Sequence, residues 1–208
     1  MKGHKWFAAI YDRMIAPEER RFLAEVRKEV AGGARGRVLE IGAGTGLNFA
    51  HYPDGAGVTA TEPDPYMFQR AERRLSALGR AIELKQASAE ELPFDDGSFD
   101  TVVGTLVMCS IPHPGRALSE IRRVLKPKGE YRFYEHVRYE NPFGAFWQDA
   151  VTPAWSWFGA GCHPNRDTAR LIRDAGFEIS ELERSKPLPP VPPMIFSRPH
   201  IKGTAVRP

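Results

Sequence analysis

A chain of 208 residues, 42% hydrophobic and 26% charged, is long enough to bury one sizeable core and predicts a single domain outside the disordered and fibrous classes. Its 29 Lys+Arg against 26 Asp+Glu leave a formal charge of +3. That excess is dispersed in mixed-sign clusters such as QRAERR, which argues against a nucleic-acid partner.

At the N-terminus, MKGHKWFAAIYDRMIAP is interrupted by Asp12 and Arg13 before a signal-peptide core reaches length. No stretch approaches the ~18 consecutive apolar residues of a membrane span. The expected location is therefore cytoplasmic, with a weak peripheral membrane contact by this segment as the most the pattern supports. A leading helix is expected over Glu18 to Val30, with Phe22, Leu23, Val26 and Val30 on one stripe and Pro17 in the early position proline favours. GGARG ends it, and RVLEI reads as a buried strand running into GAGTG. Then GVTAT, AIELKQA, FDTVVGTLVM and EYRFYEH read as strands, with helices at PYMFQRAERRLSAL and from Arg116 to Leu125 between them. Such alternation predicts an α/β fold, a parallel sheet with helices on both faces. The last third holds an aromatic-rich helix around FWQDAVTPAWSWF, a helix in NRDTARLIRDAGF, and two closing strands, FEISELE and IKGTAV. The proline-rich stretch 186–199 between those strands supplies few ladder donors and is expected to be a connection over the surface or the site.

Gly42, Gly44 and Gly46 form G-x-G-x-G, whereas a dinucleotide fingerprint needs glycine where Leu47 stands. The loop offers backbone freedom after a strand and, as expected here, exposed N–H groups at a helix start. Glu40 just before the turn suits a ligand with an ammonium group and repels a pyrophosphate. Glu62 closes the second strand at the distance where an acid accepts from ribose hydroxyls.

These features resemble the class I S-adenosylmethionine-dependent methyltransferases of methyltransferase domain type 11. The motifs stand as EIGAGTG at 40–46, TEPD at 61–64, AEELPFDDGSFD at 89–100 and IRRVLKPKGEYRFYE at 121–135, with Pro127-Lys128-Gly129 where the family usually has Pro-Gly-Gly. The resemblance implies a Rossmann-like, doubly wound, three-layer fold whose seven-stranded sheet is parallel except for one antiparallel strand near the C-terminus. The domain would divide into an N-terminal helical segment (1–35), a cofactor-binding core (36–136) and a substrate side (137–208). The cofactor is then S-adenosyl-L-methionine, leaving as S-adenosylhomocysteine. Glu40, Gly42, Gly44, Gly46 and Asn48 would cradle its methionine portion, Glu62 and Pro63 its ribose, and Met67 one face of the adenine. Ser88, Ala89 and Glu90 would flank the adenine edge, Thr105 and Leu106 would complete the pocket, and Tyr11 would either close over the cofactor or merely pack.

Methyl transfer from a sulfonium needs alignment more than an obligatory acid or metal. Glu135 and His136, ending the fifth strand, are the candidate catalytic residues, His136 as proton acceptor. Phe143, Trp147 and Val151 share a helical face that either lines an apolar pocket or is core. EHV, FWQ, PAW, GC and RPHIKGTA resemble a narrower group, the methyltransferase-like alkyl thiol methyltransferases, which implies a small lipophilic acceptor such as a thiol near Trp147, Gln148, Trp155, Cys162, Arg198 and His200. The alternatives are C-, O- or N-methylation of a quinone, a phospholipid headgroup or another small metabolite, or a cofactor-binding regulator without turnover. Cys109 and Cys162 lack C-x-x-C spacing, and His136, His163 and His200 lack ligand spacing, so no metal is expected.

Overall fold

The computed structural model describes residues 3–189 and 194–208. Seven apolar runs become β1 (Arg37–Ile41), β2 (Gly57–Thr61), β3 (Ile82–Lys85), β4 (Phe99–Thr105), β5 (Leu125–His136), β6 (Glu178–Ser185) and β7 (His200–Val206). They form one sheet in the order β3-β2-β1-β4-β5-β7-β6, reversing direction of travel at β1. β1 through β5 pair in parallel, while β7 runs antiparallel to both β5 and β6. This is the seven-stranded, mostly parallel sheet that the sequence predicts.

Strand alternation divides the core into two layers. Leu39, Val102, Tyr131 and Phe133 face the helices α4 (Pro114–Val124) and α6 (Thr168–Asp174), packing with Leu118, Ile121 and Ile172. Val38, Val58, Val103 and Tyr134 face the other side, packing with Leu23, with Val30 of α2 (Ala24–Val30) and with Ala71 of α3 (Pro65–Leu78). Asp64 caps α3 by accepting from the Tyr66 and Met67 amides, and Gly79 ends it at φ +62.

Three local expectations are corrected. The leading helix begins well before Glu18: α1 spans Lys5–Glu18 and passes through a π-turn, Glu19–Leu23, directly into α2. Pro17 lies inside α1, in its last turn. Proline lacks the N–H of that turn and crowds the preceding carbonyl, and the wider π-turn that follows is a known way to absorb such a defect. No α-helix follows the glycine loop; a 3-10 turn, Phe49–His51, takes its place, and Tyr52 before Pro53 is already extended at ψ 143°. Finally β5 begins at Leu125 and carries Pro127-Lys128-Gly129 within its span, with Lys128 at φ +64, a region that favours the glycine found there in the family pattern. In the proline-rich connection, Met194–Ser197 form a 3-10 turn, while 190–193 lie outside the described residues.

Candidate functional site

The donor half of the site is built where β1, β2 and β4 end. Gly42 sits at φ +58 with Val107 so close that a Cβ would stand 2.1 Å from its Cγ2. Gly46, at φ +80, is closed by the Phe49 ring in the same way. Gly44 shares the left-handed conformation at φ +58 yet a Cβ there meets nothing within 4 Å, so the loop is open to a ligand at its middle glycine. Glu62, 6% exposed, accepts from the Gly44 amide at 2.8 Å and the Asp64 amide at 2.8 Å. Burial pushes its carboxyl up to about 7. Met67 is buried at the start of α3, and the Pro63 carbonyl accepts from Gln86 across the β2 and β3 ends.

Glu40 does not stand free at the loop as the sequence suggests. The two-residue period turns it to the side of Val38, toward α2. There one oxygen accepts from Asn48 Nδ2 at 2.9 Å and the other from the Tyr52 hydroxyl at 2.9 Å. Asn48 also donates to Thr105 Oγ1 at 3.1 Å and accepts from Arg27 at 2.9 Å. Arg27 in turn pairs with Glu19 at 3.0 Å. Desolvation raises the Glu40 carboxyl to about 7 despite these donors. Arg27 is the residue that sequence reasoning missed; its signal was an arginine on the buried stripe of Leu23 and Val30.

α1 lies over this half. Asp12 accepts from Thr45 Oγ1 at 2.7 Å and from Arg74 at 2.7 Å, and the His4 amide donates to Asp64 at 2.6 Å. Tyr11 is half-buried near Arg27 and Cys109, and desolvation of its phenol raises it to about 12. Of the adenine-edge trio, Ala89 is buried, Ser88 Oγ accepts from the Glu90 amide at 3.2 Å, and Glu90 accepts from the His113 amide at 2.8 Å. Glu90 therefore tethers the start of α4.

The acceptor half gathers beyond β4 and β5. Glu135, fully buried, accepts from the amides of Val107 at 3.0 Å, Met108 at 2.8 Å and Cys109 at 3.3 Å. Through these three bonds it holds the loop after β4, whose Leu106 sits at φ +57. His136 is half-buried, its Nδ1 lying 3.7 Å from Cys109 Sγ and 3.8 Å from Cys162 Sγ. The His200 ring stacks on Tyr134 at 4.9 Å and touches His136 at 4.5 Å; burial holds its imidazole well below the usual range, so it is neutral.

The remaining substrate candidates divide. On α5 (Pro142–Phe158), Trp155 comes to Cys162, whereas Gln148 is fully buried, with Nε2 donating to the carbonyls of Val137, Pro164 and Phe196 and Oε1 accepting from the Tyr139 amide. Gln148 clamps three segments together, its amide nitrogen occupied by their carbonyls. Trp147 is 47% and Phe143 74% exposed, so their helix face is neither core nor an enclosed pocket. Arg198 donates to the Leu188 carbonyl at 2.7 Å, bracing the connection before β7.

A model of the methyltransferase domain matches residues 39–133. Human thiol S-methyltransferase TMT1B is 34% identical over 203 residues, covering 94% of this chain and 81% of that protein. The chain belongs to this methyltransferase family. The methyltransferase is also 38% identical over 151 residues to a phosphatidylethanolamine N-methyltransferase of Cereibacter sphaeroides, covering 70% of this chain and 72% of that one. Its fold is that of the geranyl diphosphate C-methyltransferase of Streptomyces coelicolor A3(2), solved with S-adenosyl-L-homocysteine: TM-score 0.73, 16% identity, with 96% of this chain and 84% of that one covered. S-adenosylmethionine is its methyl donor, and no helix among the described residues is long and apolar enough to cross a membrane.

Proposed function

We propose that this methyltransferase moves the methyl group of S-adenosylmethionine to the sulfur of a small lipophilic thiol in the cytoplasm. The likeness to a human thiol S-methyltransferase over nearly the whole chain supports the acceptor class. The observation that carries the reading is the sulfur- and imidazole-lined end of β5, where His136 is the half-buried titratable group beside buried thiols and Glu135 accepts from three backbone amides. A thiol, with a pKa near ~8.5, needs only a modest push toward its nucleophilic form, which one imidazole supplies. An alcohol or a ring carbon asks for a stronger base.

The residues fit the donor. The open face at Gly44 admits the methionine portion, Glu62 receives the ribose hydroxyls, and Met67 with the 88–90 segment borders the base. Bound there, S-adenosylmethionine supplies an electrophilic methyl on a positively charged sulfur. The chain aligns it: Glu135 fixes the loop after β4, Tyr11 and the α1 helix cover the donor and exclude water, and His136 favours the thiolate at the acceptor position. Trp6, Ile10 and Met14, exposed along α1, form the surface of the peripheral lipid contact expected of this segment.

A panel with methyl-labelled donor tests the acceptor. Alkyl and aryl thiols are expected to be labelled, and quinols and phosphatidylethanolamine to stay unlabelled. Silent thiols beside an active quinol or ethanolamine headgroup overturn the assignment.

A further inference from the structure

We propose that Cys109, His136 and Cys162 form a zinc-type metal site whose open fourth position receives the sulfur of the acceptor. The inference rests on the thiol reading above and changes its means of activation: with the ion bound, His136 is a ligand and the ion, in place of the imidazole, stabilises the thiolate.

Three separate segments converge: the loop after β4, the end of β5, and the loop after α5. The Cys109 and Cys162 sulfurs stand 3.6 Å apart, and His136 Nδ1 lies 3.7 Å from the first and 3.8 Å from the second. A tetrahedral ion with bonds of about 2.3 Å to sulfur and about 2.0 Å to nitrogen spaces its ligand atoms about 3.5–3.8 Å from one another. The three ligand atoms thus already stand at the spacing of three corners of that tetrahedron. Two sulfurs and one imidazole suit zinc and other soft or borderline ions, and disfavour magnesium or calcium.

The surroundings resemble those of a ligand set. Both cysteines are buried, at 1% and 8% exposure, while His136 is half-buried and forms the more exposed edge of the triangle. The His163 amide donates to the Cys109 carbonyl at 2.7 Å, locking one cysteine loop to the other. The Trp155 indole N–H is buried without a hydrogen-bond partner among the described residues, and it lies against the Gly159–Cys162 turn, placed to face a thiolate sulfur. Such donors around the ligands orient and tune a metal. Three protein ligands and an open corner are also the pattern of catalytic zinc, in contrast to the closed sets of four in structural sites.

In the open corner an acceptor thiol loses its S–H proton to solvent on binding as a thiolate. A lone pair of that sulfur forms the new bond to the methyl carbon. The bond from that carbon to the sulfonium breaks with its electron pair going to the donor sulfur, giving S-adenosylhomocysteine and a neutral thioether that binds the ion weakly and leaves.

Cobalt(II), which reports tetrahedral sulfur ligation by colour, tests the site on the full chain kept reduced. One equivalent is expected to give sulfur-to-cobalt charge-transfer and intense visible bands, and benzyl mercaptan added with S-adenosylhomocysteine is expected to shift the visible bands. Cys109→Ser and Cys162→Ser should each lose the spectrum while binding S-adenosylhomocysteine like the parent. Chelator-treated protein should lose about tenfold or more of its thiol turnover and regain it with one equivalent of zinc. Failure of the parent protein to bind cobalt or zinc stoichiometrically, a Cys109–Cys162 disulfide as the resting state, or visible bands untouched by the mercaptan overturns the proposal. Full thiol turnover after chelation also overturns it and leaves the thiol reading standing. Labelling of quinols or headgroups in place of thiols removes that reading instead, whatever the cobalt spectrum shows.

Discussion

The two halves of the site share one edge of the sheet but are assembled in opposite ways. The donor half is local: Glu40 to Asn48 is one short run, closed by Glu62 at the next strand end, and its polar groups are mutually satisfied in the Arg27, Asn48, Glu40 and Tyr52 network. The acceptor half is assembled from residues 109, 136 and 162, which meet only because the loop after β4 and the turn after α5 fold over the end of β5. Backbone geometry specifies the first and long-range convergence the second. A substitution on the donor side should therefore register in stability and cofactor affinity together, and one on the acceptor side in turnover alone.

The largest departure from that rule should come from two neighbouring glycines. Gly42→Ala places a methyl 2.1 Å from Val107 at φ +58, adding overpacking to left-handed strain, at about 2–5 kcal/mol of folding stability. Gly44→Ala carries only the strain, about 1–2 kcal/mol, because nothing lies within 4 Å, and its methyl enters the space kept for the ligand. Urea unfolding beside calorimetric titration with S-adenosylhomocysteine separates them: Gly42→Ala is expected to lose more stability, and Gly44→Ala more affinity than its stability loss explains. Equal behaviour of the two removes the argument that the loop opens at its middle glycine.

Next in size is Asn48→Ala, which strands the buried groups of Glu40, Arg27 and Thr105 and should cost about 2–4 kcal/mol in the same unfolding experiment. The acceptor half contrasts with this. His136→Ala is expected to lower kcat about 100-fold with S-adenosylhomocysteine affinity within about twofold of the parent. If the affinity falls and turnover with saturating donor does not, His136 belongs to the donor half and the division fails.

Glu62→Ala should weaken S-adenosylhomocysteine binding by about 1–3 kcal/mol. Its pH dependence sharpens the test. The Glu40 and Glu62 carboxyls are both raised to about 7 by burial, above the ordinary 4.5. The folded protein then holds these protons more tightly than the unfolded chain, so their contribution to stability is fully present below about 4.5 and is lost as the pH rises through about 7. Ribose hydroxyls donate to the ionised carboxylate, so ligand affinity has the opposite slope and increases over the same interval. Binding near pH 6.5 should release protons, measured as a buffer-dependent heat, and Glu62→Gln should remove most of that release.

Legibility in the sequence follows the same division. The strands and the glycine cradle are readable because apolar runs, G-x-G-x-G and an acid at the next strand end are local patterns. A proline ahead of an apolar stripe reads as a helix start, whereas at Pro17 a π-turn lets the helix continue past it. At Glu135 a carboxylate beside a histidine carries no mark in the sequence of the three amides that fold back onto it. Gln148 likewise gives no local sign of the three carbonyls from distant segments that surround its amide nitrogen. The Cys109, His136 and Cys162 triangle left no ligand spacing at all, since each member comes from a different loop or strand end.

The smallest effect belongs to the aromatic face of α5. An apolar stripe at helical spacing ordinarily indicates core, yet Phe143 and Trp157 are 74% and 73% exposed. Replacing both with serine removes almost no buried area, so the unfolding midpoint should correspond to a change within about 0.5 kcal/mol of the parent. Turnover of a water-soluble thiol should be unaltered as well, because neither ring reaches the end of β5. A loss comparable to that of Asn48→Ala would mean that this face is packed in solution, and that the acceptor half depends on a covering surface as well as on its converging loops.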